Sequence, residues 1–275
     1  MTAAIAWIDG CWGPKDQLKI PLSDRGLQLA DGLFETILID AGEPQLLAPH
    51  LARWSASAAL LGMEPPPEQG WLTPLITEAI ARAELKSRPA ALRLNWSRDG
   101  AGGRGLSGSG VQRSRFWLTL QAVQLDHQPI KAITSRGERR NAHSLLSCCK
   151  TFSYGQAIQA RQEAERSGAD DALLRNTEGE LCCGTVANLL VQRAGRWLTP
   201  PLSSGCLPGV IRQRGLELGR IEEAALGEAL QTGDQAVLVN SLSCRPIQSL
   251  DGQPMPLSDD GPALWRTLSR NWARN

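Results

Sequence analysis

The sequence has little lysine and almost no tyrosine. Five lysines stand among its 275 residues, Lys15, Lys19, Lys86, Lys131 and Lys150, and most of the positive charge is arginine. The single tyrosine is Tyr154, and histidine is limited to His50, His127 and His143. No excess charge of either sign exists. The formal net charge is +1, which gives no electrostatic case for nucleic acid or an anionic membrane as partner. No apolar run approaches the ~18 residues of a membrane-spanning helix. Met1–Gly10 lacks the basic start and cleavage pattern of a signal peptide, so a cytoplasmic location is expected. The seven cysteines are odd in number: Cys11, Cys148, Cys149, Cys182, Cys183, Cys206 and Cys244. Two pairs are adjacent, which suits neither a disulfide nor zinc-ligand spacing. Reduced, mostly buried thiols and no metal site are the expectation.

What is present is ordinary globular material, with 42% hydrophobic and 21% charged residues. The length allows one or two domains. Ile5–Asp9, Phe34–Asp40, Ala90–Trp96 and Phe116–Val123 read as strands. Pro49–Leu61 and Trp71–Leu85 read as helices from apolar residues at helical spacing. In the second of these, Trp71, Leu75, Ile76, Ala79, Ile80 and Ala83 form the expected apolar face. The glycine- and serine-dense run Arg98–Gly110 reads as a mobile surface loop. Residues 121–129 are the linker candidate. They divide a small N-terminal α+β domain, 1–120, from a larger C-terminal domain, 130–275. In the latter, helices are expected at Val210–Arg220, Ile221–Leu230 and Leu264–Trp272, with a strand at Ala236–Val239. Strands with segregated helices indicate an α+β class.

Lys150 is the most informative residue. It reads as the opening of an amphipathic helix that ends at Gly168, where the positive helix end disfavours a cation. The apolar stretch Leu145-Leu146-Ser147-Cys148-Cys149 before it argues for partial burial, and desolvation makes an amine a better nucleophile for Schiff-base formation. The competing reading is a surface lysine on a helix edge.

Lys150, the helix carrying Gln162-Glu163-Ala164, the run Gly168-Ala169-Asp170-Asp171-Ala172-Leu173-Leu174, then Gly179, Gly184-Thr185 and Asn188-Leu189 resemble the fold-type IV pyridoxal-phosphate (PLP) enzymes. Asp24-Arg25-Gly26-Leu27, Ala30-Asp31-Gly32-Leu33-Phe34-Glu35-Thr36, His50-Leu51-Ala52-Arg53 and Leu207-Pro208-Gly209-Val210-Ile211-Arg212 extend the resemblance over nearly the whole chain. It implies a two-domain α+β fold like that of D-amino-acid aminotransferase, with PLP in the interdomain cleft, and a homodimer. It implies a Schiff base on Lys150, which later moves protons, and a phosphate held by Arg53. Gly209, Val210 and Ile211 would offer N–H groups to that phosphate, completed by Asn240 and Ser241. Tyr154 would bond the cofactor's phenolic oxygen, with a half-buried aromatic as the competing reading. Phe34 and Thr36 would line the pocket.

Two motifs separate members of this family. Asn240-Ser241-Leu242 before Pro246-Ile247 is similar to the 4-amino-4-deoxychorismate lyases, and so is the loop from Arg98 to Leu106. The resemblance implies a substrate with carboxylates, for which Arg98 and Arg104 are candidate partners. Two solvated surface arginines are the alternative. The chain departs from the pattern at Cys183, where the family has a glutamate for the pyridine nitrogen. Glu180, three residues earlier on a strand, should point to the opposite face. Loss of that carboxylate weakens the electron sink, which a transaminase needs more than a lyase does. Ile211 replaces a threonine, removing one hydroxyl from the phosphate. The expectation is a PLP-dependent lyase. A branched-chain or D-amino-acid aminotransferase, or a PLP-binding protein with weakened catalysis, are the alternatives.

Overall fold

A computed structural model describes residues 4–99, 106 and 113–271. The chain divides into two compact units, one of Met1–Gln124 with Lys150–Ser153, the other of Leu125–Cys149 with Tyr154–Asn275.

The first unit is built on one six-stranded antiparallel sheet. Its strands are β1 (Ala4–Ile8), β2 (Cys11–Gly13), β3 (Gly32–Asp40), β4 (Glu43–Pro44), β5 (Ala90–Arg98) and β6 (Ser114–Ala122), in the spatial order β2-β1-β6-β5-β3-β4. The short helix α1 (Arg25–Leu29) precedes β3, and α2 (Leu47–Leu60) and α3 (Gln69–Arg82) separate β4 from β5. Helix α2 forms because Leu47, Leu51, Trp54 and Ala58 recur at helical spacing, and all four are buried. It packs on β3. In α3 the buried residues are Leu72, Ile76, Ala79 and Ile80. Trp71 is about half exposed and meets Trp7 and Phe116 edge-on, at 5.7 and 5.3 Å between ring centroids. The expected apolar face is therefore rotated by about one residue at its N-terminal end. Strand β3 is buried along most of its length, so Glu35 within it needs partners.

The second unit holds a nine-stranded mixed sheet. Strand β7 (Ile130–Arg140) leads through α4 (Gly155–Arg166) to β8 (Asp171–Asn176), and the two strands are parallel, a βαβ unit. Strands β9 (Leu181–Gly184), β10 (Asn188–Arg193), β11 (Arg196–Thr199), β12 (Glu222–Glu223), β13 (Gln235–Val239), β14 (Cys244–Leu250) and β15 (Gln253–Pro254) complete the sheet, with α5 (Val210–Glu217) and α6 (Asp260–Leu268). Ile130, Leu173, Leu189, Val191, Leu238 and Ile247 form one core, and Ala160, Ala164, Ala172, Cys182 and Cys206 form another beneath α4.

Two expectations are corrected here. Ile221–Leu230 is not a helix. Glu222–Glu223 pairs in parallel with Leu198–Thr199, Ala224 N–H donates to the Thr199 carbonyl, and Gly227 takes a φ of 72° while its carbonyl accepts from Leu181 N–H. Nor does Lys150 open a helix. It lies outside any helix or strand, just before the bridge residue Thr151, and α4 begins at Gly155 with Tyr154 at its N-cap. The sequence places Lys150 with the C-terminal domain, whereas Lys150–Ser153 group with the first unit because Thr151 bridges Leu33 and Phe152 N–H donates to the Gly32 carbonyl. Arg98 is the last residue of β5. Arg104 and most of the expected Arg98–Gly110 loop lie outside the described residues.

Candidate active site

In the first unit the site is organised by β3 and α2. His50 and Arg53 lie one turn apart on α2, and both reach Glu35 on β3. Arg53 grips the carboxylate with two bonds, Nε to Oε1 at 2.8 Å and Nη2 to Oε2 at 2.5 Å. His50 Nδ1 lies 2.7 Å from Oε2, so against an ionised carboxylate it is the donor. Burial pushes the Glu35 carboxyl upward, but the Arg53 charge and the His50 hydrogen bond outweigh it and hold it at about 2. Burial also keeps His50 below its usual value. The result is a buried carboxylate, a neutral imidazole and one guanidinium.

Lys150 reaches the same region through its backbone. Its carbonyl accepts from Phe34 N–H at 2.9 Å, and its Nζ stands 4.3 Å from the centre of the Phe34 ring. The Arg93 guanidinium lies 3.5 Å from the same ring centre, a close cation–π contact. Thr36 on β3 is half-buried and pairs with Arg93 in register. Arg93 also donates from Nε to Asn95 at 2.7 Å. Sequence reasoning missed Arg93. The available signal was a charged residue inside the apolar strand Ala90-Ala91-Leu92-Arg93-Leu94, with Asn95 two residues on and so on the same face.

Arg98 donates from Nε to Asp31 and from Nη1 and Nη2 to the Gly62 and Leu61 carbonyls, each at 3.0 Å. Asp31 also accepts from Arg25 at 2.9 Å. Arg98 thus serves the C-terminal end of α2, where a cation is favoured. A substrate carboxylate would compete there with three protein acceptors.

In the second unit α5 starts at Gly209, which has no side-chain cap. Helix geometry leaves the N–H groups of the first turn, Val210–Arg212, without carbonyls of their own helix. A Cβ on Gly209 would collide with Asn188 Oδ1, and Asn188 is itself held by its bond to the Leu207 carbonyl at 2.8 Å. Only glycine fits there, and a helix N-terminus without a side-chain cap suits an anion. Val210 and Ile211 are buried. Asn240 makes the turn between β13 and β14: its Oδ1 accepts from Leu242 N–H at 2.8 Å and Ser243 N–H at 3.0 Å, around Ser241. Tyr154 is half-buried, and its carbonyl accepts from Ile158 N–H in the first turn of α4.

Cys183 is buried on β9, paired with Leu174 and Asn188. The Cys182 thiol donates to the Ser204 carbonyl at 3.2 Å. The interaction of the two neighbouring thiols pushes Cys182 up and Cys183 down, and the Arg140 charge lowers Cys183 further. Arg140, ending β7, is anchored on the Gly205 and Ser147 carbonyls at 3.2 and 3.0 Å. Glu180 precedes β9 and is held in the turn by Asn176. The Gly184-Thr185 turn is fixed by Asp171, whose Oδ1 accepts from the Thr185 hydroxyl at 2.6 Å while Oδ2 accepts from Arg161 at 2.7 Å.

The amino-transferase class IV family model matches residues 32–250. A Schizosaccharomyces pombe protein provisionally named an aminodeoxychorismate lyase is 32% identical over 219 residues, covering 76% of this chain and 85% of its own. An aminodeoxychorismate lyase of Vibrio harveyi is 28% identical over 277 residues, covering 96% of this chain and 98% of its own. A solved structure described as a hypothetical aminotransferase from Mycobacterium tuberculosis in PLP-bound form matches with a TM-score of 0.82 at 23% identity, over 96% of this chain and 97% of that one. The two-domain α+β fold is that of the fold-type IV enzymes. Each unit by itself carries groups that suit PLP: in the first, Lys150 has an amine that an aldehyde can take and Arg53 a guanidinium that suits a phosphate; in the second, the N–H groups opening α5 suit an anion. The chain belongs to the amino-transferase class IV family.

Proposed function

We propose that the protein is a lyase that converts 4-amino-4-deoxychorismate to 4-aminobenzoate and pyruvate, a step of folate synthesis. The observation that carries this reading is Cys183, a thiol beside the positive charge of Arg140 at the position where the family resemblance expects a carboxylate. PLP when bound supplies an electron sink through its ring, and a carboxylate at its nitrogen deepens that sink. A transaminase depends on the deep sink. An elimination that ends in an aromatic ring has its own driving force and tolerates a shallow one.

In this reading Lys150 is the acid–base group. Its amine removes the substrate's ring proton and then protonates the departing enolpyruvyl oxygen. Arg53, Gly209, Val210 and Ile211 hold the cofactor's phosphate, Ser241 and the Asn240 turn support it, and Tyr154 bonds the phenolic oxygen. Phe34 and Thr36 line the substrate's side. Arg93, which shares the Phe34 ring with Lys150, is well placed for a substrate carboxylate. Arg98 and Arg104 remain its proposed partners from the sequence, Arg98 in competition with its bonds to Asp31, Leu61 and Gly62. We extend the proposal to a symmetric homodimer: Leu145, Leu146, Ile158 and Val186 of the second unit are exposed apolar side chains suited to such an interface.

The deciding experiment supplies purified protein with PLP and enzymatically generated aminodeoxychorismate and follows 4-aminobenzoate. Conversion of the cofactor to its pyridoxamine form by amino acids is the parallel control. Steady 4-aminobenzoate production supports the lyase. Amino-acid conversion without 4-aminobenzoate rejects it in favour of transamination.

A further inference from the structure

We propose that Glu35 and His50 are positioning residues that preset the Arg53 guanidinium for a phosphate, and so set the protein's preference for phosphorylated over unphosphorylated cofactor. The inference rests on the reading of Arg53 as the phosphate partner. Glu35 lies within the apolar strand Phe34-Glu35-Thr36-Ile37-Leu38, and it is 1% exposed. A carboxylate there is costly to bury unless each oxygen is satisfied. Both are: Arg53 takes Oε1 and Oε2 with its Nε–Nη2 edge, and His50 also donates to Oε2. The two-point grip fixes the plane of the guanidinium as well as its place. Of the three side chains, His50 and Glu35 are 1% exposed and Arg53 is 10% exposed, so Arg53 is the most accessible of them.

The grip matters because an arginine side chain carries much rotamer freedom, and an anion binding to a mobile guanidinium must order it first. His50, neutral through burial, fixes the carboxylate without adding a second positive charge. Replacing Glu35 by glutamine would turn an amide N–H₂ or a single neutral acceptor toward two N–H donors and release the plane.

The test compares dissociation constants for PLP and for pyridoxal, read from Schiff-base absorbance, in the wild type and in Arg53→Ala, Glu35→Gln, His50→Leu and His50→Gln. Loss of a charge-assisted bond predicts PLP affinity weakened by about tenfold or more in Glu35→Gln. Pyridoxal affinity should stay near wild type. His50→Leu should follow Glu35→Gln in direction, and His50→Gln, which can still donate to Glu35, should recover most of the preference. Pyridoxal binding also reports that each variant is folded. If Arg53→Ala loses the preference while Glu35→Gln and His50→Leu keep it, the positioning role is overturned and Arg53 remains the phosphate partner. If PLP and pyridoxal weaken equally in Glu35→Gln, the role is merely structural and the proposal fails. If Arg53→Ala keeps the preference, or the wild type binds no PLP, the underlying reading fails with it.

Discussion

Phe34 and Lys150 are joined twice, once by the hydrogen bond from Phe34 N–H to the Lys150 carbonyl at 2.9 Å and once by the Lys150 amine poised 4.3 Å above the Phe34 ring. The backbone bond sets where the lysine leaves the chain, and the ring gives its amine an apolar face with a favourable quadrupole. Neither contact belongs to a helix N-terminus. The electrostatic oddity expected of a cation there does not arise, and the placement of Lys150 is a tertiary fact.

Gly209→Ala is expected to destabilise the protein by about 1–3 kcal/mol, because its Cβ would collide with Asn188 Oδ1. PLP binding should weaken with it, since α5 must shift to relieve the clash. Urea denaturation and PLP titration measure the two effects. The double variant with Asn188→Ala should recover much of the stability, and strictly additive costs would contradict the clash.

Glu35 gives the protein an acid-sensitive element. Its carboxyl is held at about 2 in the folded chain against an ordinary 4.5. A depressed carboxylate contributes stability above its unfolded value and loses it as the pH falls toward the folded one. The window is therefore about pH 4.5 down to 2, and the contribution is about 3 kcal/mol. Unfolding free energies measured across that range should fall more steeply in the wild type than in Glu35→Gln.

Arg98→Gln is expected to cost about 1–3 kcal/mol of stability by freeing the Leu61 and Gly62 carbonyls and Asp31. The substrate KM should rise as well, because Arg98 is a proposed partner of a substrate carboxylate. Lost stability with an unchanged KM would confine Arg98 to the end of α2.

Cys183→Glu is expected to speed the amino-acid half-reaction by about tenfold or more, the worth of one charge-assisted bond to the ring nitrogen. Stopped-flow absorbance of the cofactor measures it. No acceleration in a folded, PLP-loaded variant would remove Cys183 from the argument about reaction type.

Much of this was legible in the sequence. Leu47, Leu51, Trp54 and Ala58 announce α2 by spacing, and Lys150, Arg53 and Gly209 stand out by motif. Ile221–Leu230 misled because Glu222-Glu223-Ala224-Ala225-Leu226 has strong helical propensity, and only the pairing of Glu222–Glu223 with β11 overrides it. The amphipathic residues after Lys150 extend a helical pattern back to it, although α4 begins only at Gly155. Nothing local reveals that the Lys150 carbonyl is taken by Phe34, 116 residues earlier in the numbering. Arg93 and the Glu35 grip were hidden for the same reason: a charged residue in an apolar strand shows its partner only when the sheet and α2 are assembled.

The most direct test of the account is 4-aminobenzoate formation from aminodeoxychorismate by the PLP-loaded wild type beside Lys150→Ala. The account predicts sustained product from the wild type and loss of turnover in the variant. Full turnover by Lys150→Ala, or no 4-aminobenzoate from a wild type that binds PLP, would contradict it.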